Sequence, residues 1–410
     1  MPQLCKLYVE PTNCCNLTCR TCIRNIWGEE LGYMSQETFD RILESLYPDS
    51  APPIGRAQAS IDASGLALPL SADRGLAAKL SVARAARGRP RDKELTIFFG
   101  GFGEPLAHPE IVDMVARAKA AGARVELITN GTLLTPELSR RLIAALLDRL
   151  WVSLDGARPE SYADVRLGAE LPQVLANLDA FRRARAPAHK PVPEIGIAFV
   201  AMRRNVADVP ELLRLGAQLG ARHYMITNVL PHTPEMCDEI LYEHALADIS
   251  YLQSPWVPAV NLPKLDVNEL TGDILYQVLR SHRNVTFAGS NLGSGNDRCP
   301  FIDQGAAAVG WDGSFSPCLD LLHEHVSYLH GRPRHTRRYV VGNIAERDLL
   351  DLWNDPEHQA FRSRVEHFEF SPCSFCGGCE LSLSNEADCT GHTFPTCGGC
   401  LWGQGIIQCP

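Results

Sequence analysis

The sequence predicts an α/β fold in which repeated β-α units build a parallel sheet, followed by a cysteine-rich carboxyl-terminal segment. Between Cys22 and Cys237, short β-branched or aromatic runs alternate with amphipathic stretches, which is the pattern of β-α units around a parallel sheet. From Cys299 onward, glycine, proline and cysteine dominate, as expected where bound metal organises the chain. These observations predict a β-α domain followed along the chain by a cysteine-rich domain.

Six β-α units account for the amino-terminal half of the chain. The predicted strands span residues 7–10, 94–100, 124–129, 150–155, 195–202 and 224–229. The predicted helices span residues 36–47, 109–121, 136–148, 171–183 and 209–219. Ser35 and Thr135 precede two of these helices, and their hydroxyls are suited to cap a helix amino terminus.

Composition divides the chain into three parts. Residues 1–230 hold the β-α units, residues 231–290 form a connecting segment in which the periodicity fades, and residues 291–410 form the cysteine-rich domain. Residues 51–93 are rich in alanine, arginine, glycine and proline and interrupt the first part as an insertion. The insertion is interpreted either as a surface excursion or as a lid or docking element.

Charge and hydropathy argue against several classes of protein. The 410 residues are 45% hydrophobic and carry a formal charge of −9, so there is no overall basic field for bulk nucleic-acid binding. The longest apolar runs, such as 142–147, are far shorter than the roughly 18–20 residues that a membrane span requires. Because no leader-like segment opens the sequence, we expect a soluble, cytoplasmic protein without membrane association.

The cysteines are gathered at the two ends of the chain. Of fifteen, five lie within residues 5–22, one is Cys237 and nine lie within residues 299–409. This number is too large for an ordinary cytosolic enzyme and too dilute for a disulfide scaffold, so metal ligation is the favoured interpretation. Cys5 and Cys237 are interpreted as ordinary buried thiols. Four histidines of an arginine-rich segment are interpreted as solvated or structural: His323, His325, His330 and His335.

A triad of cysteines follows the first predicted strand. Cys15, Cys19 and Cys22 form the pattern C-x-x-x-C-x-x-C, and a tight loop can aim these three thiolates at one point. Three ligands leave one iron of a [4Fe–4S] cluster open to bind a substrate or cofactor, whereas four would close it into an electron carrier. A zinc site with Cys14 as fourth ligand is the alternative, disfavoured because adjacent cysteines do not easily point the same way.

The triad resembles the motif that defines the radical S-adenosylmethionine (SAM) superfamily, whose members carry it at the start of a partial (β/α)6 barrel. The resemblance implies SAM contacts at the carboxyl ends of the strands, with Glu104 facing the amino group, Ser153 the ribose and Arg166 the carboxylate. Thr21 departs from the aromatic residue common before the last cysteine, so adenine packing is assigned to the region 224–226. The implied SAM-binding residues are Gly101, Gly103, Glu104, Asn130, Ser153 and Arg166.

The carboxyl-terminal cysteines resemble the SPASM extension of radical SAM enzymes, which holds auxiliary iron–sulfur clusters. The resemblance is carried by Cys299, by the stretch from Gly313 to Cys318, and by Cys373-x-x-Cys376. The spacing of the later cysteines leaves their partition open between one and two auxiliary [4Fe–4S] clusters. A zinc ribbon made of the cysteine pairs 376/379 and 397/400 is the alternative. The candidate ligands are Cys299, Cys318, Cys373, Cys376, Cys379, Cys389, Cys397, Cys400 and Cys409.

Within this superfamily, the chain looks like the subgroup called tungsten-cofactor oxidoreductase maturases. Four stretches carry this resemblance: residues 10–13, 19–25, 99–106 and 396–402. The resemblance implies reductive cleavage of SAM to a 5′-deoxyadenosyl radical, which takes hydrogen from a substrate C–H bond. It implies a peptide, cofactor precursor or natural-product intermediate as substrate, and an electron donor such as ferredoxin or flavodoxin. An auxiliary cluster would accept an electron, bind substrate or supply sulfide. The alternative from another class is a zinc-organised scaffold or binding module without turnover.

Overall fold

The structure is a computed structural model that describes residues 3–48, 94–185, 192–243, 259–263, 265–266, 268–279, 284–287, 290–291, 299–376 and 378–410. The predicted insertion at 51–93 lies outside the described residues, as does part of the connecting segment. Within the described residues, no helix is long and apolar enough to cross a membrane.

Six parallel strands lie side by side in chain order and confirm the predicted β-α architecture. The strand predicted at 124–129 has the predicted bounds, and the bounds of the other five differ from the predicted ones by one to three residues. The six strands are β1 (Lys6–Val9), β2 (Thr96–Phe99), β3 (Arg124–Thr129), β4 (Arg149–Ser153), β5 (Glu194–Ala201) and β6 (Ala221–Asn228).

The predicted helices are also present. Ser35 and Thr135 cap α1 (Gln36–Leu46) and α3 (Pro136–Ala144) as expected, because each side-chain oxygen accepts the backbone N–H of the residue three positions further on. Helix α3 ends four residues before its predicted limit of 148, since Leu146 adopts a φ of 62° and Asp148 instead accepts the N–H of Val125 at 2.7 Å. The helices are α1 (Gln36–Leu46), α2 (Ile111–Ala121), α3 (Pro136–Ala144), α4 (Pro159–Val165), α5 (Leu171–Ala184) and α6 (Val209–Gln218).

Further elements follow β6. The strands are β7 (Ala259–Leu262), β8 (Asn284–Phe287), β9 (Ser290–Asn291), β10 (Ala306–Val309), β11 (Ser314–Ser316), β12 (His325–Leu329), β13 (Arg332–Thr336) and β14 (Gly342–Asn343). The helices are α7 (Pro234–Cys237), α8 (Gly272–Leu279), α9 (Pro300–Asp303), α10 (Leu349–Trp353), α11 (Pro356–His367) and α12 (Cys373–Cys376).

The cysteine-rich segment continues the sheet of the β-α units. Strand β10 pairs with β1 in parallel, and β11 and β14 extend the same sheet to nine strands. A strand edge with unpaired N–H and C=O groups is unfavourable if left open, and β10 covers the free edge of β1. All four side chains of β10 are fully buried, so this segment is held by apolar packing as well as by any bound metal.

The two faces of the sheet bury different partners. One face packs against the helices in the main hydrophobic core. Tyr8, Phe98 and Trp151 on the opposite face pack against carboxyl-terminal residues that include Leu401 and Trp402. The end of the chain therefore covers part of this second face of the sheet.

Candidate active site

Three free thiols converge on the loop after β1. Cys19 is buried, while Cys15 and Cys22 are partly buried, and none of the three is in a disulfide. The Cys22 N–H donates to the Cys19 carbonyl at 3.0 Å and the Leu17 N–H donates to Cys15 Sγ at 3.4 Å, which fixes the loop. Burial raises the pKa of the Cys15 and Cys22 thiols, and the nearby Cys19 thiol raises both further. Three partly desolvated thiols on one loop match the ligand count of an open-iron cluster. Among the described residues, no three cysteine, histidine or acidic side chains are arranged to hold a single metal ion, so the match is one of ligand type and number.

Cys14 faces a different direction. Its Sγ lies 3.9 Å from the Gly32 carbonyl and forms a hydrogen bond with the Tyr33 hydroxyl. Its backbone N–H donates to Thr12 Oγ1 at 3.0 Å. The geometry thus disfavours Cys14 as a fourth ligand of the triad.

Two polar side chains contact the triad. Asn130 Nδ2 lies 3.8 Å from Cys15 Sγ, and Arg166 Nη1 lies 3.8 Å from Cys19 Sγ. Donors and positive charge next to a thiol favour its thiolate form, which is the form that binds metal. Asn130 also donates to Asn16 Oδ1 at 2.9 Å, so its amide is oriented by the triad loop itself.

Residues 100–105, which follow β2, are called the glycine-rich turn. Glu104 joins this turn to the end of β3. Its carboxylate accepts three hydrogen bonds, from the Leu106 N–H at 2.9 Å, the Thr129 hydroxyl at 2.7 Å and the Asn130 N–H at 2.7 Å. Burial raises the pKa of this carboxyl. A Cβ at Gly103 would stand 2.0 Å from the Thr12 carbonyl, so only glycine fits there. The resemblance assigned Glu104 only to the SAM amino group, and these hydrogen bonds within the protein were not predicted.

Arg166 forms a buried ion pair that the sequence interpretation did not include. Its Nε donates to Asp155 Oδ2 at 2.7 Å, and Asp155 is fully buried. The other oxygen of Asp155 accepts the Val200 N–H at 2.8 Å. The negative Asp155 therefore raises the pKa of Arg166 despite its burial. Ser153 is the last residue of β4 and is partly buried.

We expect the Arg166→Ala variant to lose roughly 3–5 kcal/mol of stability, because the Asp155 charge would stay buried without a partner. SAM binding is expected to weaken by roughly 2–5 kcal/mol. Denaturant unfolding and anaerobic calorimetry with SAM measure the two effects. The matched control is Arg214→Ala, whose exposed pair with Glu211 should contribute little. Equal stability of the two variants would contradict the prediction.

Four carboxyl-terminal thiols surround one cavity and are called the buried thiol group: Cys299, Cys318, Cys397 and Cys400. Burial raises the pKa of Cys299 to about 11 and raises the pKa of the other three thiols as well, with further increases from neighbouring thiols of the group. Apolar side chains such as Phe301 and Phe361 complete the cavity wall. Four desolvated thiols around one space fit the ligand set of a closed cluster.

Four more thiols lie on the outer side of the same domain and are called the outer thiol group: Cys373, Cys376, Cys379 and Cys389. Cys373 and Cys376 share the single turn of α12, and Cys376, Cys379 and Cys389 are exposed. Burial raises the pKa of Cys373 to about 11, and Cys379 and Cys389 are close enough to contribute. The buried Arg334 lies between the two groups, near Cys373, Cys397 and Cys400.

The ninth thiol, Cys409, does not line the cavity of the buried thiol group, and the two cysteine pairs of the zinc-ribbon alternative differ in their surroundings. Cys409 Sγ accepts the Trp402 indole N–H at 3.2 Å and lies near Lys6. A ribbon would bring the pairs 376/379 and 397/400 together, but the structure places the first pair in the outer group and the second in the buried group.

A charged histidine links the triad side of the site to the carboxyl-terminal domain. His323 Nε2 donates to Glu10 Oε2 at 2.8 Å, and His323 Nδ1 forms a close hydrogen bond with Glu29. Glu10 also accepts the Phe102 N–H of the glycine-rich turn at 2.8 Å, and the His323 ring packs against Trp27 and Phe102. The two carboxylates raise the pKa of His323 to about 9 although burial opposes this. His323 is thus a buried structural residue and is not solvated, and its ionic contacts with Glu10 and Glu29 were not predicted.

This arrangement predicts a stability loss at alkaline pH. Because the folded pKa of about 9 lies above the ordinary value of 6.5, the contribution is complete below about pH 6.5 and is lost as the pH rises through about 9. The shift corresponds to roughly 3 kcal/mol. Thermal unfolding between pH 6.5 and pH 9.5 should show this loss in the wild type and a smaller pH dependence in His323→Gln. A His335→Gln control, altered at an exposed histidine, should retain the wild-type pH dependence.

A cavity of about 150 Å³ lies between the triad loop and the carboxyl-terminal domain. The cavity is lined by Thr21 and Ile23 of the triad loop, by Phe102 of the glycine-rich turn and by residues 227–230 at the end of β6. Carboxyl-terminal residues that also line it are Asp320, His325, Trp402 and Ile407, together with His232.

Comparison with known proteins identifies two domains. Residues 79–216 match the radical SAM superfamily, and residues 299–380 match the SPASM iron–sulfur cluster-binding domain. The first match begins after the triad loop, so the assignment of the triad depends on the residues described above.

Similar proteins cover most of the chain. The chain is 29% identical to the tungsten-containing aldehyde ferredoxin oxidoreductase cofactor-modifying protein of Pyrococcus furiosus, over 98% of this chain and 96% of that protein. It is 26% identical to the mycofactocin maturase MftC of Mycobacterium tuberculosis, over 68% of this chain and 62% of that protein.

The fold has a solved counterpart. The crystal structure of Streptococcus suis SuiB bound to S-adenosylmethionine matches with a TM-score of 0.52 at 15% identity, over 92% of this chain and 71% of that chain. The fold, the thiols and the two domain matches agree with one another. The chain therefore carries a radical SAM domain followed by a SPASM domain, which supports an enzyme and implies SAM, a [4Fe–4S] cluster and auxiliary iron–sulfur clusters as its cofactors.

Proposed function

We propose that this enzyme is a maturase that cleaves SAM at a cluster held by Cys15, Cys19 and Cys22 and modifies a peptide or a cofactor precursor. The observation that carries the proposal is the convergence of these three free thiols beside Arg166, at the carboxyl end of the sheet. When bound, the cluster supplies the electron that cleaves SAM. The protein supplies orientation and exclusion of water.

The residues around the triad are proposed to hold SAM. Arg166 is fixed by Asp155 and has further N–H groups that can meet a carboxylate, for which a guanidinium is well shaped. The glycine-rich turn offers its backbone through Gly101 and Gly103, and Glu104 adds negative charge for an ammonium group. Ser153 and Asn130 complete the proposed contacts.

Two auxiliary clusters are proposed, one on each thiol group. The buried thiol group has four thiols around one cavity, and the outer thiol group has Cys373 close to Cys379 and Cys389. This partition uses eight of the nine thiols and leaves Cys409 as the spare one. It also favours closed auxiliary clusters, which suit transfer of an electron from the substrate more than binding of a ligand at an open iron.

The substrate and partner are proposed from the relatives. The similarity to a cofactor-modifying protein spans nearly both full lengths, and the second relative is a maturase. A cofactor precursor or a peptide therefore leads the candidates, with a natural-product intermediate and sulfur insertion as further outcomes of the same chemistry. Ferredoxin or flavodoxin is proposed as the electron donor.

Anaerobic purification with metal and sulfide analysis tests the proposal. Three [4Fe–4S] clusters would give about twelve irons per chain, and dithionite with SAM should give 5′-deoxyadenosine. Colourless protein that contains only zinc and forms no 5′-deoxyadenosine would instead establish the scaffold alternative. Incubation with candidate peptides and cofactor precursors, followed by mass spectrometry, then identifies the substrate.

A further inference from the structure

Glu10 holds the middle of the glycine-rich turn. The Phe102 N–H donates to Glu10 Oε1 at 2.8 Å, and a Cβ at Gly101 would stand 2.6 Å from the same oxygen. Among the described residues, the bond to Glu10 is the one hydrogen bond that residues 101–103 form. Because the turn packs directly against this carboxylate, its position depends on how Glu10 is held.

Glu10 is held in turn by His323 of the carboxyl-terminal domain. His323 Nε2 donates to Glu10 Oε2 at 2.8 Å, so the two carboxylate oxygens serve two different donors. Glu10 is fully buried, and no other side chain in the described part of the chain donates to it. A buried carboxylate that loses a donor either keeps an unsatisfied oxygen or turns towards another donor. Removal of His323 is therefore expected to loosen the hold of Glu10 on Phe102.

The His323 ring is itself fixed in place. Its Nδ1 forms a close hydrogen bond with Glu29. The ring centroids of Trp27 and Phe102 lie 4.8 Å and 5.4 Å from the centroid of His323. The ring cannot rotate without losing both carboxylates and these aromatic contacts. Glu10 and His323 are together called the latch.

The end of the glycine-rich turn has a separate support. Glu104 accepts hydrogen bonds from the Thr129 hydroxyl and the Asn130 N–H, and neither donor belongs to the latch. Loss of the latch is thus expected to displace residues 101–103 and to leave Glu104 in place. In the proposed SAM site both parts of the turn meet the amino group, so the affinity for SAM should fall without being abolished.

We propose that His323 is a positioning residue for SAM, which acts through Glu10 to set the place of residues 101–103. The inference rests on the proposed function, in which the glycine-rich turn holds the amino group of SAM. The latch connects the carboxyl-terminal domain to the turn by two consecutive hydrogen bonds. The affinity for SAM therefore depends on a side chain of the other domain.

Calorimetry of SAM binding to the anaerobic holoenzyme tests the inference. His323→Leu should weaken SAM binding about ten-fold, which is the effect of about one lost hydrogen bond. His323→Gln should restore the affinity to within about three-fold of the wild type, because its amide nitrogen can take the place of Nε2 and donate to Glu10. Recovery in the second variant shows that the donor to Glu10 is the property that matters.

Lys119→Met is the matched control. Lys119 Nζ donates to Asp148 Oδ2 at 2.6 Å, and this oxygen also accepts the Val125 N–H at 2.7 Å. The pair therefore repeats the chemistry of the latch, a carboxylate between a basic side chain and a backbone N–H. It lies at the amino-terminal ends of β3 and β4, whereas the glycine-rich turn follows the carboxyl-terminal end of β2. This variant should lose stability but bind SAM as the wild type does.

Unchanged SAM affinity in His323→Leu, no recovery in His323→Gln, or an equally large loss in Lys119→Met would each overturn the inference. Iron content shows whether each variant has remained folded. If His323→Leu loses iron, Glu10→Asp replaces it, since the shorter side chain cannot reach both Phe102 and His323 and should also weaken SAM binding about ten-fold.

The same measurements separate this inference from the proposed function. An enzyme that cleaves SAM but binds it with an affinity independent of the latch contradicts the inference alone. Wild-type holoenzyme that neither binds nor cleaves SAM contradicts the proposed function.

Discussion

Replacement of Cys15, Cys19 and Cys22 together by alanine is expected to remove about four irons per chain and to abolish 5′-deoxyadenosine formation. The three thiols share one loop, and Cys19 is close enough to raise the pKa of both Cys15 and Cys22, so the variant removes the whole proposed ligand set. The iron of the carboxyl-terminal domain should persist, because its thiols lie in separate groups. Iron analysis and chromatography of the SAM cleavage products measure the two effects.

Cys14→Ala is the matched control for this variant. Cys14 is adjacent in sequence to Cys15, but its thiol contacts Gly32 and Tyr33. This variant should keep its irons and its SAM cleavage. The radical SAM assignment of the triad is wrong if the triple variant still forms 5′-deoxyadenosine, and the ligand set is wrong if Cys14→Ala loses the cluster.

The double variant Cys397→Ala/Cys400→Ala is expected to lose about four irons and to unfold at a clearly lower temperature. These thiols belong to the buried thiol group, which lies inside an apolar wall, so loss of a bound cluster would leave a cavity in the core of the domain. The Cys376→Ala/Cys379→Ala variant should lose a similar amount of iron with a smaller thermal effect, because both residues are exposed.

Cys409→Ala serves as the control for both double variants. Its thiol accepts a hydrogen bond from Trp402, so a loss of about 1 kcal/mol is expected without loss of iron. Loss of zinc from Cys397→Ala/Cys400→Ala with an intact iron content would instead establish the zinc ribbon. Loss of iron from Cys409→Ala would show that the partition into two groups of four is wrong.

Structural features that depend on residues close together in the sequence were predicted correctly. The six strands, the caps at Ser35 and Thr135 and the triad loop depend on periodicity and spacing within a few residues, and such signals are present in any short segment. The pairing of Arg166 with Asp155 is also local, and it could have been found, since the two residues are 11 positions apart and Asp155 lies just after the fourth strand.

Contacts between distant parts of the chain could not be predicted in the same way. His323 meets Glu10 across 313 residues and Glu29 across 294, and nothing in its arginine-rich surroundings distinguishes it from the exposed His335. The pairing of β10 with β1 likewise joins residues that are far apart in the sequence, such as Lys6 and Ala306. The spacing of Cys376–Cys379 and Cys397–Cys400 suggested a ribbon, although the two pairs belong to different groups.

The sequence by itself determined the class of this protein, through three thiols on one loop, six β-α units and a thiol-rich end. These features are local, because secondary structure and a chelating loop need only neighbouring residues. Only the tertiary structure decided which thiols line one cavity and which carboxylates hold His323. Those properties depend on burial and on the path of the chain, which bring together groups that are far apart in the sequence and change their charge by desolvation.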